Sequence, residues 1–341
     1  MSEIDQPLTH SKIIYKLVPK NQLGKILLAA FLTALFQSAI VSAAYYLKNY
    51  GLVLFIGVPV FCGLMAALLD SYHQPRPTYR CCITATWTLI IVGLILLTGA
   101  LEGIVCLLMA FPLALPFAWL GAWLGCFLAR IQRKRLANLI LLVMGMIALP
   151  ICMGFEAHLD REPPLRKVIT SIDIAADEQT VWNSVVAFSP IPEPTEWLFK
   201  LGIAYPQRAE IKGTGTNAIR YCIFSTGPFV EPICAWDKPH LLQFNVTENP
   251  EPMKETSIYP DIHPPHLHGF MISEKGQFQL IRQPNHHTLL QGTTWYRHKL
   301  WPQFYWGIIS DNIIHQIHDR VLNHIKLEAE RQATNSNSTA D

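Results

Sequence analysis

The run Asp261 to Phe270, DIHPPHLHGF, sets His263, His266 and His268 within six positions around a Pro-Pro pair. Imidazole is the commonest metal ligand and the usual proton carrier near neutral pH. Asp311, His315 and His318 follow at i, i+4 and i+7, on one side of a helical stretch. With His266 from the loop, His315 and His318 would complete a metal set. The helix phase argues against it. Trp306, Ile313, Ile314, Ile317, Val321 and Ile325 form one apolar face. His318 falls at the edge of that face and His315 nearly opposite its centre. A metal needs three converging ligands, and the sequence offers only proximity. The expectation is no metal and no other cofactor, a solvated Asp311–His315 pair, and a histidine run held extended by its prolines.

Other residue types permit acid–base chemistry. His266, His298 and Tyr296 are the candidates for an enzyme. Glu231 and Asp237 flank Trp236. One of them could act as a general acid beside an aromatic wall, but Asp237 also suits the Asp-Lys-Pro turn that follows it, and Glu231 the start of a strand. The sequence contains no GxSxG, HExxH, Walker loop or GxGxxG before a helix, and GTGT (Gly213 to Thr216) lies between strand signals, which makes it a hairpin turn. Cys222 and Cys234 would face each other in a hairpin centred on Pro228. They are either a disulfide or two small core residues. No CxxC pair occurs, which removes zinc-knuckle and thioredoxin-like readings.

The elements that must position these groups fall into two halves. Half of the chain is hydrophobic and only 15% is charged, too apolar for an ordinary soluble protein. The apolar residues concentrate in five segments, 26–46, 51–69, 83–101, 103–129 and 136–155, and crossing a hydrocarbon core takes about 20 residues. The third and fourth are separated only by Glu102, so the alternative is one re-entrant element. The polar first 25 residues, with no cleavage site after them, read as a retained anchor rather than a signal peptide. No ionisable residue lies mid-span, which favours an anchor over a conduit. Pro112 and Pro116 are expected to kink the fourth segment. Gly121 and Gly125 form a GxxxG there, suited to internal packing or to a homodimer. No basic run suggests a nucleic-acid partner.

The second half has a Pro-rich linker at 158–166, then an α+β order of elements. A strand over 167–175 precedes a helix capped by Asp177. Strands follow over 208–212, 217–225, 229–236, 241–248, 270–274, 277–283 and 288–299. A helix over 302–330 and a polar, disordered tail, 331–341, end the chain. The stretches SIDIAADEQTVWNSVVAF, GTGTNAIRYCIFSTGPFVEPICAWDKPHLLQFNV, GQFQL, LLQGTTWYRHKLWPQFYW and IIHQIHDRVLNHIKLEAE carry a resemblance to the START-like superfamily, the polyketide cyclase/dehydrase and lipid transport group also called SRPBCC. The resemblance covers residues 167–330 only. It implies a helix-grip fold, in which a curved antiparallel sheet wraps a long carboxy-terminal helix, and in which the histidine run lies at a cavity mouth. It is poorly specific for function, because the superfamily spans carriers, cyclases and binders.

A curved sheet over one helix leaves space that side chains do not always fill, and such space holds ligands. The expected function is a membrane-tethered binding or transfer domain for a hydrophobic small molecule such as a lipid or isoprenoid. Its walls would come from Trp182, Trp197, Trp236, Phe244, Trp295, Tyr296, Trp306, Ile313, Ile317 and Val321. Trp295 and Tyr296 point to opposite faces of one strand, so one of the two lines the space. The alternatives are a cyclase- or hydratase-like enzyme using His266, His298 or Tyr296, and a structural domain filled by its own side chains. Lys12, Lys16, Lys20, Lys25, Arg76, Arg80, Arg130, Arg133, Lys134 and Arg135 fall on one side of the five spans, and Lys48 on the other. Positive-inside logic puts the ten in the cytoplasm and the second half outside it, in a bacterial inner membrane. Carboxy-terminal reporter fusions check this: phosphatase should be active and green fluorescent protein dark, and fluorescence from the latter alone refutes the orientation.

Overall fold

The computed structural model describes residues 18–47, 50–131, 135–159, 162–259 and 264–338. The chain divides into two compact units, Met1–Arg161 with Thr256–Pro265, and Glu162–Glu255 with His266–Asp341.

The first unit is helical: α1 (Gln22–Leu47), α2 (Val58–Asp70, entered through a π-helical turn at Val53–Gly57), α3 (Thr78–Thr98), α4 (Ile104–Ile131) and α5 (Arg135–His158). Four stretches are long and apolar enough to cross a membrane: Val53–Asp70, Thr78–Thr98, Ile104–Ile131 and Ile140–His158. In α1 the described apolar stretch is Gln22–Phe36. The third and fourth expected segments are two separate helices, because residues 99–103 break the chain and Ala100 turns to φ 55°. Pro112 and Pro116 lie within α4 without ending it.

Glycines set the closest approach in this unit. A Cβ at Gly63 of α2 would collide with the Ala118 carbonyl of α4, and one at Gly121 with the Val60 carbonyl of α2. A Cβ at Gly125 would lie 2.8 Å from the Leu64 carbonyl oxygen. Gly121 and Gly125 therefore face α2, which is the internal packing their spacing suits. Polar groups gather at helix ends. Asp70, at the end of α2, accepts from Thr84 Oγ1 at 3.2 Å, and Lys25 Nζ lies 3.5 Å from its Oδ1. Glu156, near the end of α5, takes the Leu52 and Val53 N–H groups at 2.6 and 3.2 Å, which satisfies donors at the start of the next helical segment. The described residues from Thr256 to Tyr259 group with the helices. The Ile104 N–H donates to the Thr256 carbonyl at 3.0 Å and the Tyr259 hydroxyl to the Thr98 carbonyl at 2.7 Å.

The second unit has the helix-grip arrangement. Its sheet has the order β1-β7-β6-β5-β4-β3-β2, antiparallel throughout. The strands are β1 (Arg166–Ile174), β2 (Pro206–Lys212), β3 (Ile219–Phe224), β4 (Gly227–Asp237), β5 (Leu241–Asn245), β6 (Met271–Arg282) and β7 (Thr288–His298). Two short helices, α6 (Glu178–Val186) and α7 (Trp197–Lys200), follow β1, and the long α8 (Gln303–Ser338) closes the unit. Asp177 caps α6 by accepting from the Gln179 and Thr180 N–H groups.

The core is one cluster between sheet and helices. Val181, Trp182 and Val185 of α6 and Val321, Leu322 and Ile325 of α8 meet Leu242, Phe244, Leu280 and Leu290 of the sheet. Two expectations change. The strands at 270–274 and 277–283 are one strand, β6, continuous through Gly276; the Phe244 ring lies where a Cβ there would stand. Residues 331–338 are helical rather than disordered, since Ala329 is fully buried and Ala333 packs against the core, drawing the last turns onto the unit. Residues 339–341 lie outside the described residues.

Close helix packing makes a checkable statement. Gly121→Val should force α2 and α4 apart, at about the 1–3 kcal/mol cost of overpacking, and lower the thermal midpoint of the purified chain by several degrees. An unchanged midpoint would contradict the close approach.

Candidate functional site

The inner face of the sheet carries a charge pair that the motifs did not announce. Arg220 of β3 stands directly opposite Glu231 of β4. Arg220 is 1% exposed and Glu231 6%. The Arg220 Nη1 donates to Glu231 Oε2. The guanidinium carbon lies over three rings, Phe188 at 5.6 Å, Phe244 at 5.4 Å and Phe278 at 5.5 Å. Its Nε–H has no hydrogen-bond partner. Burial pushes the Glu231 carboxyl up, against the pull of the Arg220 charge. The same burial pushes the neighbouring Cys222 thiol up to about 12, so it is an inert thiol.

The register of this hairpin also decides the cysteines. Its turn is Ser225-Thr226, not Pro228, and Cys222 pairs with Phe229. Cys234 lies beyond the end of β3, exposed, and both thiols are free. Of the two alternatives, the register keeps the cysteines apart and so opposes a disulfide, and only Cys222 is a core residue. Shifting the turn centre also reassigns Glu231, which is neither a strand start nor an acid beside Trp236 but half of an interior ion pair. Arg220 was the residue sequence reasoning missed. Equal spacing from Ser225-Thr226 was the signal. Asp237 does make the expected turn, its carbonyl accepting from the His240 N–H at 2.7 Å.

A second polar group joins β1, β7 and α8. The Tyr296 hydroxyl donates to Asp311 Oδ1 at 2.6 Å, and Arg166 reaches both, with Nε 3.2 Å from the Tyr296 oxygen and Nη2 2.5 Å from Asp311 Oδ2. Asp311 thus pairs with Arg166 and Tyr296 rather than with His315. Burial works to raise the Asp311 carboxyl, but the hydrogen bonds from Arg166 and Tyr296 outweigh it and hold it below its usual range. Burial, then the Asp311 contact, push the Tyr296 phenol up, so it is a poor proton donor. His298, two residues on, is 1% exposed and stacks on Tyr296 at 6.2 Å. Neither of its ring nitrogens makes a hydrogen bond of good geometry. Burial, then the Arg166 charge, push its pKa down, leaving it neutral at pH 7.

His315 and His318 are held by threonines. His318 bridges Thr170 Oγ1 at 2.9 Å and Thr294 Oγ1 at 2.8 Å, and His315 Nδ1 reaches the same Thr170 oxygen at 2.8 Å. Among the described residues neither belongs to a group of three metal-ligating side chains. His266 lies on a short 3₁₀ turn, Pro265–Leu267. His268 is exposed, 3.4 Å from Glu251 Oε1. His263 lies outside the described residues.

The expected wall residues divide by the pleat. Trp236 packs edge-on against Trp182 at 5.5 Å, and Phe244, Tyr296, Trp306 and Val321 are buried. Ile317 is half-buried against the core. Trp295 points the other way, between the Lys167 and Lys275 ammonium groups at 5.3 and 5.5 Å. Trp197 is 69% exposed. Ile313 sits beside the buried stripe, where Ile314 takes the inward position. A separate polar pocket of about 220 Å³ lies at Asp177, Arg282 and His287, where Asp177 is already spent on capping α6.

No protein-family model matches the sequence, and no curated protein sequence matches it. Solved structures of similar fold cover about half of the chain. A norcoclaurine synthase point mutant from Thalictrum flavum, in complex with a transition-state analogue, is 13% identical. The match covers 51% of this chain and 99% of that one at a TM-score of 0.34. The Zhui aromatase/cyclase from Streptomyces sp. R1128 is 13% identical, over 50% and 96%, at 0.33. A structural-genomics protein from Nitrosospira multiformis is 16% identical, over 48% and 95%, at 0.31.

The His318 environment generates a pH dependence. Burial, then the nearby His315, push His318 down from 6.5 to about 4. The fold therefore favours the neutral ring. The stability this contributes is present above pH 6.5 and is lost as pH falls toward 4. His318→Gln, which can still bond Thr170 and Thr294, should flatten the fall of the thermal midpoint across that window. An unchanged slope would assign the acid sensitivity elsewhere, with His266, pushed down to about 4 by burial, the next candidate.

Proposed function

We propose that the chain is a membrane-tethered domain that binds a hydrophobic small molecule, such as a lipid or isoprenoid, between the curved sheet and α8. The observation that carries this reading is the aromatic character of that interior. Trp182, Trp236, Phe188, Phe244, Phe278 and Tyr296 all contribute to it, and large apolar surfaces are what small-molecule sites are lined with. Helices of membrane length in the same chain give the arrangement a purpose. A hydrophobic ligand is scarce in water and concentrated in a bilayer, so a tethered binder samples it where it is. Trp236, Phe244, Tyr296, Trp306, Ile317 and Val321 are the wall residues of this proposal. Trp295, Trp197 and Ile313 drop out of it.

A second reading, a cyclase- or hydratase-like enzyme, draws on His298, whose neutral ring has no hydrogen bond of good geometry. It predicts that the extracted small molecule differs in mass between the wild type and His298→Gln. Identical extracts speak for binding alone.

Mass spectrometry of organic extracts from the purified chain tests the binding reading directly. Ile317→Phe should remove the copurifying molecule and lower the thermal midpoint by no more than a few degrees, because filling open space costs less than the about 1–3 kcal/mol of overpacking a solid core. The same change at Ile308, 68% exposed, should leave the extract unchanged. Unfolding by Ile317→Phe would mean that the interior is solid.

A further inference from the structure

The buried pair defines what kind of molecule the interior takes, and this inference rests on the binding reading above. An arginine does not lose its proton in a protein, and Glu231 supplies one negative charge against it. The pair is thus electrically complete. Yet the Arg220 Nε–H is buried with no acceptor, and an unsatisfied donor on a charged group is costly to leave in an interior. An anionic ligand would satisfy Nε–H but leave a net negative charge away from water, with a penalty that excellent geometry seldom repays. A hydrocarbon would add no charge but leave the donor as it is. A neutral acceptor oxygen satisfies the donor and leaves the charge balanced. The Phe188, Phe244 and Phe278 rings around the guanidinium offer faces and edges against which a flat unsaturated body packs well.

We infer that the ligand is a neutral, hydrophobic molecule bearing a carbonyl oxygen, held by a hydrogen bond from the Arg220 Nε–H among the Phe188, Phe244 and Phe278 rings. Glu231 acts as the fixed counter-charge that makes the site select against acids. Arg220 supplies specificity, and the rings supply affinity.

Three probes of one shape separate the terms: 2-acetylnaphthalene (a neutral ketone), 2-ethylnaphthalene (no acceptor) and 2-naphthoate (an anion). Each is titrated against the full chain in lipid nanodiscs by tryptophan fluorescence, with empty discs subtracted. The ketone should bind about tenfold or more tightly than the hydrocarbon, the usual scale for a hydrogen bond from a charged donor, and more tightly than the acid. The infrared carbonyl stretch of the ketone, carried on a carbon-13 label, should move to lower wavenumber on binding. In Arg220→Met/Glu231→Leu, an apolar replacement of the pair that such cores commonly tolerate, ketone and hydrocarbon should bind equally while the hydrocarbon affinity is kept. In Glu231→Gln the site carries a net positive charge, and the preference should invert toward 2-naphthoate. Equal binding of ketone and hydrocarbon to the wild type, tighter binding of the acid to the wild type, or a preference for the ketone over the acid that survives in Glu231→Gln each overturns this inference while leaving the binding reading intact. Absence of binding by all three probes overturns both.

Discussion

A guanidinium inside a protein core must stay charged, and this constraint organises the second unit. Arg220 projects from β3 toward the interior, so a carboxylate has to stand where β4 passes it, and Glu231 does. Moving an ion out of water costs several kcal/mol even after relaxation. A register slip of one residue would turn both side chains to the other face. The pair therefore ties the β3–β4 hairpin to one register. The turn at Ser225-Thr226, the burial of Cys222 and the exposure of Cys234 all follow from it. The three phenylalanine rings around the guanidinium replace part of the lost hydration with cation–π attraction.

Around that pair the inner face of the sheet grades from apolar to polar. Near Leu290 and Leu242 the contacts are with the apolar stripe of α8, Leu322 and Ile325 among them. Toward the amino-terminal end of α8 they give way to Arg166, Tyr296 and Asp311, with Thr170, Thr294, His315 and His318 alongside. The long helix is thus held by packing along one part and by charge-assisted hydrogen bonds along another, which fixes its sliding position as well as its rotation. Proton chemistry is muted throughout. The Tyr296 phenol is pushed up, and the His298 and His318 rings are pushed down into their neutral forms.

The helical unit uses a different device. Its α2 and α4 meet backbone to backbone at Gly63 and Gly121, where side chains would keep them apart. Small residues at such a contact let the backbones make close van der Waals contact. The sequence could show the small residues but not which helix they face.

Local patterns were sufficient for much of the architecture. Five apolar segments, the Asp177 cap, the order of strands and helices and the apolar stripe of α8 all depend on residues near one another in the chain, where periodicity and capping chemistry act directly. The alternation of Trp295 and Tyr296 was legible for the same reason, although which of the two faces inward was not. What only the tertiary structure decided were pairings across the fold. Placing the β3–β4 turn at Pro228 rather than at Ser225-Thr226 aligned two cysteines that never meet and hid an arginine and a glutamate that do. Asp311 could be matched to His315 four residues on, but not to Arg166, 145 residues before it. Gly276 reads as a break between strands until the Phe244 ring of the neighbouring strand is seen to need its missing side chain. The polar turns after Glu330 read as tail until the burial of Ala329 and the packing of Ala333 join them to the core. In each case the deciding energy is desolvation or packing between residues far apart in sequence, and a local pattern contains no record of its distant partner.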